Sequence, residues 1–215
     1  PEQGIALGPF LLQELIGTGG MARVWRGVHA RQGVDVAIKV MAARLATDPV
    51  YGRAFREEVR AVASLNHPGV ILVFDYGVIP EECAAASDGE IPVGSHYLVM
   101  EHIDDGSLAE RTRARGWPHL REILCTLLDI LAHTHARGVI HRDLTPDNIL
   151  VDQFGEPKIL DFGGARATDW DVRAVTVRTE VGQLVGTIPY MSPEQIGGDP
   201  REIDVVSDVY ALGVI

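Results

Sequence analysis

Lysine is almost missing from this chain. Of its nineteen basic residues only Lys39 and Lys158 are lysine, and the rest are arginine. Arginine's wide planar fork does not replace a compact ammonium where geometry is tight, so each retained lysine is a candidate for chemistry of its own. Basic residues are also outnumbered: the net charge is -11, and no basic stripe stands out. That argues against a nucleic-acid-binding surface, which needs a Lys/Arg excess to neutralise phosphates.

Cysteine is nearly as scarce. Cys83 and Cys125 show no CxxC spacing, so neither a disulfide framework nor a zinc site is expected, and a reducing compartment, the cytoplasm, fits. No apolar run reaches the ~18 residues of a membrane span, and the start has no basic-then-apolar signal pattern. An initiator Met is missing too: the chain opens on Pro1 and stops at Ile215 inside the apolar stretch Val205 to Ile215. A fragment is expected, with room for a membrane anchor or a regulatory domain in the missing C-terminal part. What is present is 46% hydrophobic and 23% charged, without low-complexity tracts. Such a chain is soluble and globular, and its length suits one large domain or two small lobes sharing a cleft.

Taken in order, Phe10 to Ile16, Val24 to Val28 and Val34 to Met41 are predicted strands joined by glycine-containing turns. Between the first two lies Gly17-Thr-Gly19-Gly20-Met-Ala22-Arg-Val24. Glycines there let backbone amides wrap phosphate oxygens without Cβ clashes, although a plain glycine turn has the same composition. No helix-opening pattern follows, so this is no dinucleotide fingerprint, and the GK[ST] of a P-loop is absent. Val36-Ala37-Ile38-Lys39 ends the third strand on one of the two lysines. A helix is predicted over Asp48 to Leu65, with Tyr51, Phe55, Val59 and Val62 as its apolar stripe. Glu58 borders that stripe and needs a cation; Lys39 is the candidate, and Glu57 is the competing carboxylate.

Val70 to Tyr76 and His96 to Met100 complete an expected five-stranded sheet, with Gly77 to Ser95 as an exposed loop between them. The composition changes abruptly over Glu101 to Asp105, where a hinge is expected. Leu120, Ile123, Leu124, Leu127, Leu128, Leu131 and His135 then share one face of a long helix ended by Gly138. His133 and His135, two apart, point to different faces and cannot chelate one metal; both read as packed or surface histidines.

The stretch Val139 to Leu150, VIHRDLTPDNIL, sets acids, an amide and a base in one loop between apolar runs. Asp143 and Asn148 are five residues apart, and Asp161 opens an Asp-Phe-Gly turn farther on. Three oxygen-bearing side chains of this kind can converge on a phosphate and its metal ions, although each alone also suits a turn cap.

Together the glycine loop, VAIK at Lys39, Glu58, HRDLTPDN, DFG, SPE at Glu194 and Asp208-Val-Tyr210-Ala-Leu-Gly213 resemble, in order and spacing, the bacterial eukaryotic-like Ser/Thr protein kinases. The resemblance implies an α+β, protein-kinase-like bilobal fold: a five-stranded antiparallel lobe with one helix over residues 1–101, and a mainly helical, incomplete lobe over 102–215. It implies transfer of the γ-phosphate of ATP to Ser/Thr hydroxyls of proteins, with Mg²⁺, or Mn²⁺ in its place. Asp143 would orient the acceptor hydroxyl, Lys39 hold the α/β-phosphates, and Asn148 and Asp161 ligate metal. The nucleotide-contacting positions it implies are Ile16, Gly17, Gly19, Val24, Ala37, Lys39, Glu58, Met100, Glu101 and Ile103. Met100 would gate the adenine pocket, with Glu101 and Ile103 offering backbone hydrogen bonds to the base. Arg142 before the catalytic Asp resembles kinases switched on by phosphorylation of the activation loop, with Thr179 the first candidate and Thr176 the second. Thr187 resembles the residue that touches the catalytic Asp.

Three departures from the family pattern stand out. Ala22 replaces the third glycine. Thr145 replaces the lysine that most Ser/Thr kinases carry two residues after the catalytic Asp, which motivates a rival reading as a pseudokinase or nucleotide-binding scaffold. The chain also stops within the helix begun by Asp208, which should support the catalytic loop, and Glu194 is expected to lack its distant arginine.

Overall fold

Alternation of apolar and polar residues from Phe10 onward builds a sheet, and one strand more than expected joins it. The computed structural model describes residues 4–20, 22–46, 49–111, 117–162, 188–199 and 201–215. The chain divides into two units, residues 1–59 with 72–102 and residues 60–71 with 103–215.

In the first unit the strands are β1 (Ile5–Leu7), β2 (Phe10–Thr18), β3 (Ala22–His29), β4 (Asp35–Met41), β5 (Val73–Val78) and β6 (His96–Glu101). They form one antiparallel sheet in the order β1-β2-β3-β4-β6-β5. The sixth strand, β1, folds back on β2 with Ile5 opposite Leu12 and Leu7 opposite Phe10. Gly8 makes that turn with a φ of 56°, a conformation glycine adopts at little cost. Three residues are too few to carry a period in the sequence, which is why the sheet was expected to have five strands.

Two helices precede β5: α1 (Ala43–Ala46) and α2 (Pro49–Ala63). On α2, Phe55 and Val59 are buried against Ala22 and Met41 of the sheet, with Tyr51, Val73, Tyr76 and Leu98 around them. Gly52 permits the close approach, because a Cβ there would lie 2.7 Å from Nε2 of His96.

The opposite face of the sheet is covered as well, and this corrects the reading of Gly77 to Ser95 as an exposed loop. That segment contains α3 (Glu81–Ala86), and it buries Ile79, Cys83 and Ile91 in a core with Phe10, Leu12, Trp25, Ile38 and Val99. Its far side is closed by Ser87, whose Oγ accepts the Ile91 N–H at 2.9 Å. The three apolar residues are spaced at four and eight, with small and acidic residues between, so neither a helical nor a strand period showed. Fully burying each isoleucine contributes about 1.5–3 kcal/mol, which is enough to hold the segment down. Burial also pushes the Cys83 thiol up from its ordinary pKa, whereas Cys125 is exposed.

The second unit is built around α5 (Trp117–His135), preceded by α4 (Leu108–Arg111). Its buried residues are Ile123, Leu127, Ile130, Leu131 and Thr134. The expected face was rotated from this: Leu128 is 49% exposed, and Ile130, which was not placed on it, is fully buried. Ile130 packs where Gly69 has no side chain, so a partner in a loop sets the face rather than the helix's own pattern. Gly138, with a φ of 73°, ends the helix as expected. A short hairpin of β7 (Ile149–Val151) and β8 (Pro157–Ile159) follows, then α6 (Pro193–Gly197) and α7 (Val205–Val214). No helix among the described residues is long and apolar enough to cross a membrane.

Candidate active site

In the first unit the strand register fixes which side chains share a face. Val24 lies opposite Lys39, and Lys39 opposite Leu98; Ala37 lies opposite Met100. Residues directly across a ladder project to the same side, so Val24, Ala37, Lys39 and Met100 stand on one face. Trp25, Ile38 and Val99 alternate with them and are buried on the other. On α2, Glu58 is half-buried beside Val59, while Glu57 is exposed, so the two carboxylates are distinguished by burial.

The glycine turn joins β2 and β3, with Gly17 opposite Val24 and the Gly19 N–H donating to Ala22 O at 2.9 Å. Arg44 donates to Gly20 O at 3.0 Å. Neither Gly17 nor Gly19 has a positive φ, and a Cβ on either would meet nothing closer than 3.6 Å. The fold itself therefore does not demand glycine at these two positions. Glycines that the chain's own packing does not need leave the backbone open to a group from outside, and phosphate oxygens are what bare amides suit. At the other end of the sheet, the Glu101 N–H donates to Leu72 O at 2.9 Å, and its carboxylate accepts the Leu72 N–H at 2.8 Å. Ile16 lies in β2 and is 46% exposed, and Ile103 is half-buried.

The second unit holds the acidic loop by a buried carboxylate far along the chain. Asp208, 1% exposed in the first turn of α7, accepts the His141 N–H at 2.8 Å and the Arg142 N–H at 2.7 Å. His135 Nε2 lies 2.7 Å from the same carboxylate. Burial pushes the Asp208 carboxyl up, but the hydrogen bonds from His135 and the two amides, with His141 nearby, more than offset it, and the group is held below the usual carboxylate range. The support expected from Asp208 is present. His135 is packed, as one of the two readings had it, and it closes the buried cluster; His133 instead lies against Arg137, whose guanidinium donates to His133 O at 3.1 Å.

His141 carries this order into the loop. Its Nδ1 accepts the Asp143 N–H at 3.2 Å, which leaves the proton on Nε2 to donate to Leu160 O at 2.6 Å. Its ring meets Phe162 edge-on with centroids 5.0 Å apart. Asp143 by its own amide, and Asp161 through its neighbour Leu160, are thus tied to the same imidazole. Arg142 and Asp161 hold left-handed φ values of 68° and 55°, which are costly for residues with a Cβ. At Arg142 the strain is balanced by the Asp208 bond and by Gln195 Nε2, which donates to Arg142 O.

Asn148 closes a single turn over Pro146–Asn148, its N–H bonding to Thr145 O at 3.0 Å and its Nδ2 donating to Asp143 O at 2.7 Å. With Nδ2 facing Asp143, the amide's Oδ1 faces away from that bond. Thr145 is 6% exposed, in extended backbone ahead of this turn. Among the described residues no group of three or more His, Cys, Asp or Glu is placed to hold a metal ion. The donors expected from the sequence are one carboxylate, Asp161, and one amide, Asn148. That set suits a hard cation that keeps water and takes substrate phosphates as its remaining ligands, and it does not suit zinc.

Glu194 has a partner within the chain. The Ser207 hydroxyl donates to it at 2.6 Å and, with its backbone and Ser192 bonds, lowers its pKa, so the acid expected to lack its distant arginine is held by hydrogen bonds. Residues to which the sequence reading gave no part in holding the site are His141, His135, Gln195 and Ser207. Only His141 had a local signal, its place inside the loop motif. The third residue of the DFG turn, Gly163, and the candidates Thr176, Thr179 and Thr187 lie outside the described residues, as does Met21 of the glycine turn.

The family model for the protein kinase domain matches residues 10–215. The serine/threonine-protein kinase PknA of Mycobacterium tuberculosis is 40% identical over 219 residues, covering 100% of this chain and 47% of that protein. PknL of Mycobacterium bovis is 40% identical over 212 residues, covering 96% of this chain and 47% of that protein. The probable serine/threonine-protein kinase PknB of Bifidobacterium longum is 36% identical over 217 residues, covering 98% and 30%. The chain thus spans half or less of the length of these relatives. With the motifs in order and the loop held as described, this chain belongs to the protein kinase domain family.

Proposed function

We propose that the protein transfers the γ-phosphate of ATP to Ser/Thr hydroxyls of protein substrates in the cytoplasm. Residues 1–101 act as the nucleotide-covering part and 102–215 as the part that carries the acceptor chemistry. The observation that carries this reading is the fixed loop from His141 to Asn148: two backbone amides on buried Asp208, the Asp143 amide on His141, and Asn148 on the Asp143 carbonyl. Phosphoryl transfer leaves little bond chemistry to side chains, so positioning and charge dominate, and a loop held at four points supplies positioning.

Asp143 orients the acceptor hydroxyl and takes its proton as the bond to phosphorus forms. Lys39 neutralises the α/β-phosphates, and Glu58, the half-buried carboxylate of α2, aims its ammonium. Val24, Ala37 and Met100, on the lysine's face of the sheet, and Ile16 pack the base, while Glu101 and Ile103 hydrogen-bond it through their backbone. Gly17 and Gly19 keep the turn open to phosphate oxygens. Asn148 Oδ1 and Asp161 hold the divalent metal, Mg²⁺ or in its place Mn²⁺. When bound, that ion supplies charge neutralisation on the phosphates. Thr145 stands two residues after Asp143, next to this chemistry, without the charge a lysine would add. Phosphorylation at Thr179 or Thr176, paired with Arg142, regulates the activity.

The test is transfer of labelled γ-phosphate by the full-length protein to itself and to a generic protein substrate. Asp161→Ala and Lys39→Met are each expected to lower the rate by at least ~10³. Normal rates in both variants would end the assignment.

A further inference from the structure

The Cα of Asp143 is flanked by two peptide groups, and three side chains hold them. On the following side, Asn148 Nδ2 donates to Asp143 O at 2.7 Å. On the preceding side, the Asp143 N–H donates to His141 Nδ1 at 3.2 Å, and Arg142 O, the other end of the same peptide group, accepts from Gln195 Nε2. His141 and Asn148 belong to the loop itself. Gln195 comes from α6, 53 residues beyond Arg142.

Which end of the Gln195 amide faces the loop follows from its other partners. The Ser192 N–H donates to Oε1 at 3.0 Å, and the Ser192 hydroxyl lies 3.2 Å from the same oxygen. With Oε1 turned to donors, the amide presents Nε2 to an acceptor, and Arg142 O is that acceptor. Ser192 is fully buried and Gln195 half-buried, so water does not readily replace the link. One side chain thus has two tasks. Its oxygen closes the start of α6 as the third helical residue of a capping box, and its nitrogen reaches the loop.

The second bond falls at a strained point. Arg142 has a φ of 68°, which a residue with a Cβ keeps only when its surroundings enforce it. Asp208 holds the Arg142 N–H; the next peptide group, which leads into Asp143, is held by His141 at its N–H and by Gln195 at its oxygen. Without the Gln195 donor that carbonyl is free to turn, and the Asp143 carboxylate moves with it. Misplacing a reacting group by about 1 Å costs up to about 10²-fold in rate.

We propose that Gln195 is a positioning residue for Asp143: through Arg142 O it sets the direction of the carboxylate toward the acceptor hydroxyl, and it ties that direction to the start of α6. This rests on the reading of Asp143 as the residue that orients the acceptor. Because Gln195 acts through Arg142, its effect falls on the transfer step and leaves ATP binding unchanged.

Two substitutions in the full-length protein separate the tasks. Gln195→Glu keeps an oxygen for Ser192, since glutamate serves equally in a capping box, but offers no N–H to Arg142 O. Gln195→Ala loses both. In each variant kcat for transfer to a generic protein substrate is expected to fall by about 10–100-fold, with the KM for ATP within about twofold of the unsubstituted protein's. The thermal midpoint of Gln195→Glu is expected to stay unchanged, while its Asp143 amide exchanges about tenfold faster. An unchanged kcat in Gln195→Glu beside a slow Gln195→Ala assigns the side chain to the helix cap alone and overturns the proposal. A raised KM for ATP in place of a lowered kcat, or a thermal midpoint that falls together with kcat in Gln195→Glu, overturns it too. If the unsubstituted protein transfers no phosphate, the functional reading fails and the amide still decides: faster exchange at Asp143 in Gln195→Glu supports the positioning, and equal exchange overturns it.

Discussion

The glycine turn of the first unit and the acidic loop of the second meet similar demands by opposite means. The turn inherits its shape from a ladder: β2 and β3 pair from Phe10 opposite His29 to Thr18 opposite Arg23, and one exposed arginine, Arg44, touches it from outside. Among the described residues, the bonds seen there are backbone bonds or lie at the surface. The loop has almost no ladder of its own. It is held by side chains that arrive from far along the sequence, buried Asp208 from 66 and 67 residues away and half-buried Gln195 from 53. A ladder shares its load over many equivalent bonds, whereas a buried carboxylate concentrates it on one group. The turn therefore rests on its ladder, and the loop on one buried carboxylate.

Deleting the single group should break the comparison most clearly. Asp208→Ala leaves two amides and an imidazole without their acceptor, and it is expected to destabilise the second unit by about 3–5 kcal/mol. Arg44→Ala, at the turn, should stay within about 0.5 kcal/mol. Chemical denaturation of the two variants, with amide exchange at His141 and Arg142, distinguishes them; equal effects would show that the loop is not held by Asp208. Next in size, Ile79→Ala in the covering segment is expected to cost about 2–5 kcal/mol, because the side chain is fully buried. A cost typical of a surface change would mean that the segment merely rests on the sheet.

Acid should separate the two units. In the first, His96 is 6% exposed and stacks on Phe55; burial, then the Arg56 guanidinium, hold its pKa down against a bond to the Gly77 backbone. The folded state keeps this ring neutral, so its contribution is complete above the ordinary value of about 6.5 and is lost as pH falls below it. Asp208 is also depressed, but its contribution is complete above about pH 3.9 and is lost only as pH falls through the lower folded value. Between pH 6 and 5, near-UV and NMR signals of the first unit are expected to weaken while those of the acidic loop persist. Simultaneous loss would contradict the assignment.

The smallest expected effect concerns Thr145. Placing a cation there by Thr145→Lys should raise kcat by about tenfold, a fraction of what a single electrostatic donor contributes in other enzymes. Steady-state transfer rates check it, and an unchanged rate would mean that the nearly buried position cannot present its side chain to phosphate.

How much of this was legible follows from the same contrast. Strands β2, β3, β4 and β6 and the common face of Val24, Ala37, Lys39 and Met100 follow from period-2 alternation, a property of neighbouring residues. Glu58 was placed on the buried side of α2 by helical spacing, and it is half-buried. The covering segment was misread because Ile79, Cys83 and Ile91 belong to no period; their burial comes from the sheet they cover. Leu128 and Ile130 were exchanged on α5 because Gly69, remote in sequence, decides which side of the helix is approached. In the loop the chemical residues were read from a motif, but His135, Gln195 and Ser207 act only through partners distant in sequence, and no local pattern marks them.

The unequal burial of the two cysteines has a practical consequence. Cys83 lies under the covering segment with its thiol pushed away from the reactive thiolate, whereas Cys125 faces solvent on α5. Thiolate is the form that reacts, so a maleimide dye added to the native domain should attach at Cys125 and leave Cys83 unmodified. The chain thus offers one ready position for a fluorophore or spin label on a rigid helix of the second unit, and delayed labelling of Cys83 becomes a clock for the opening of the first.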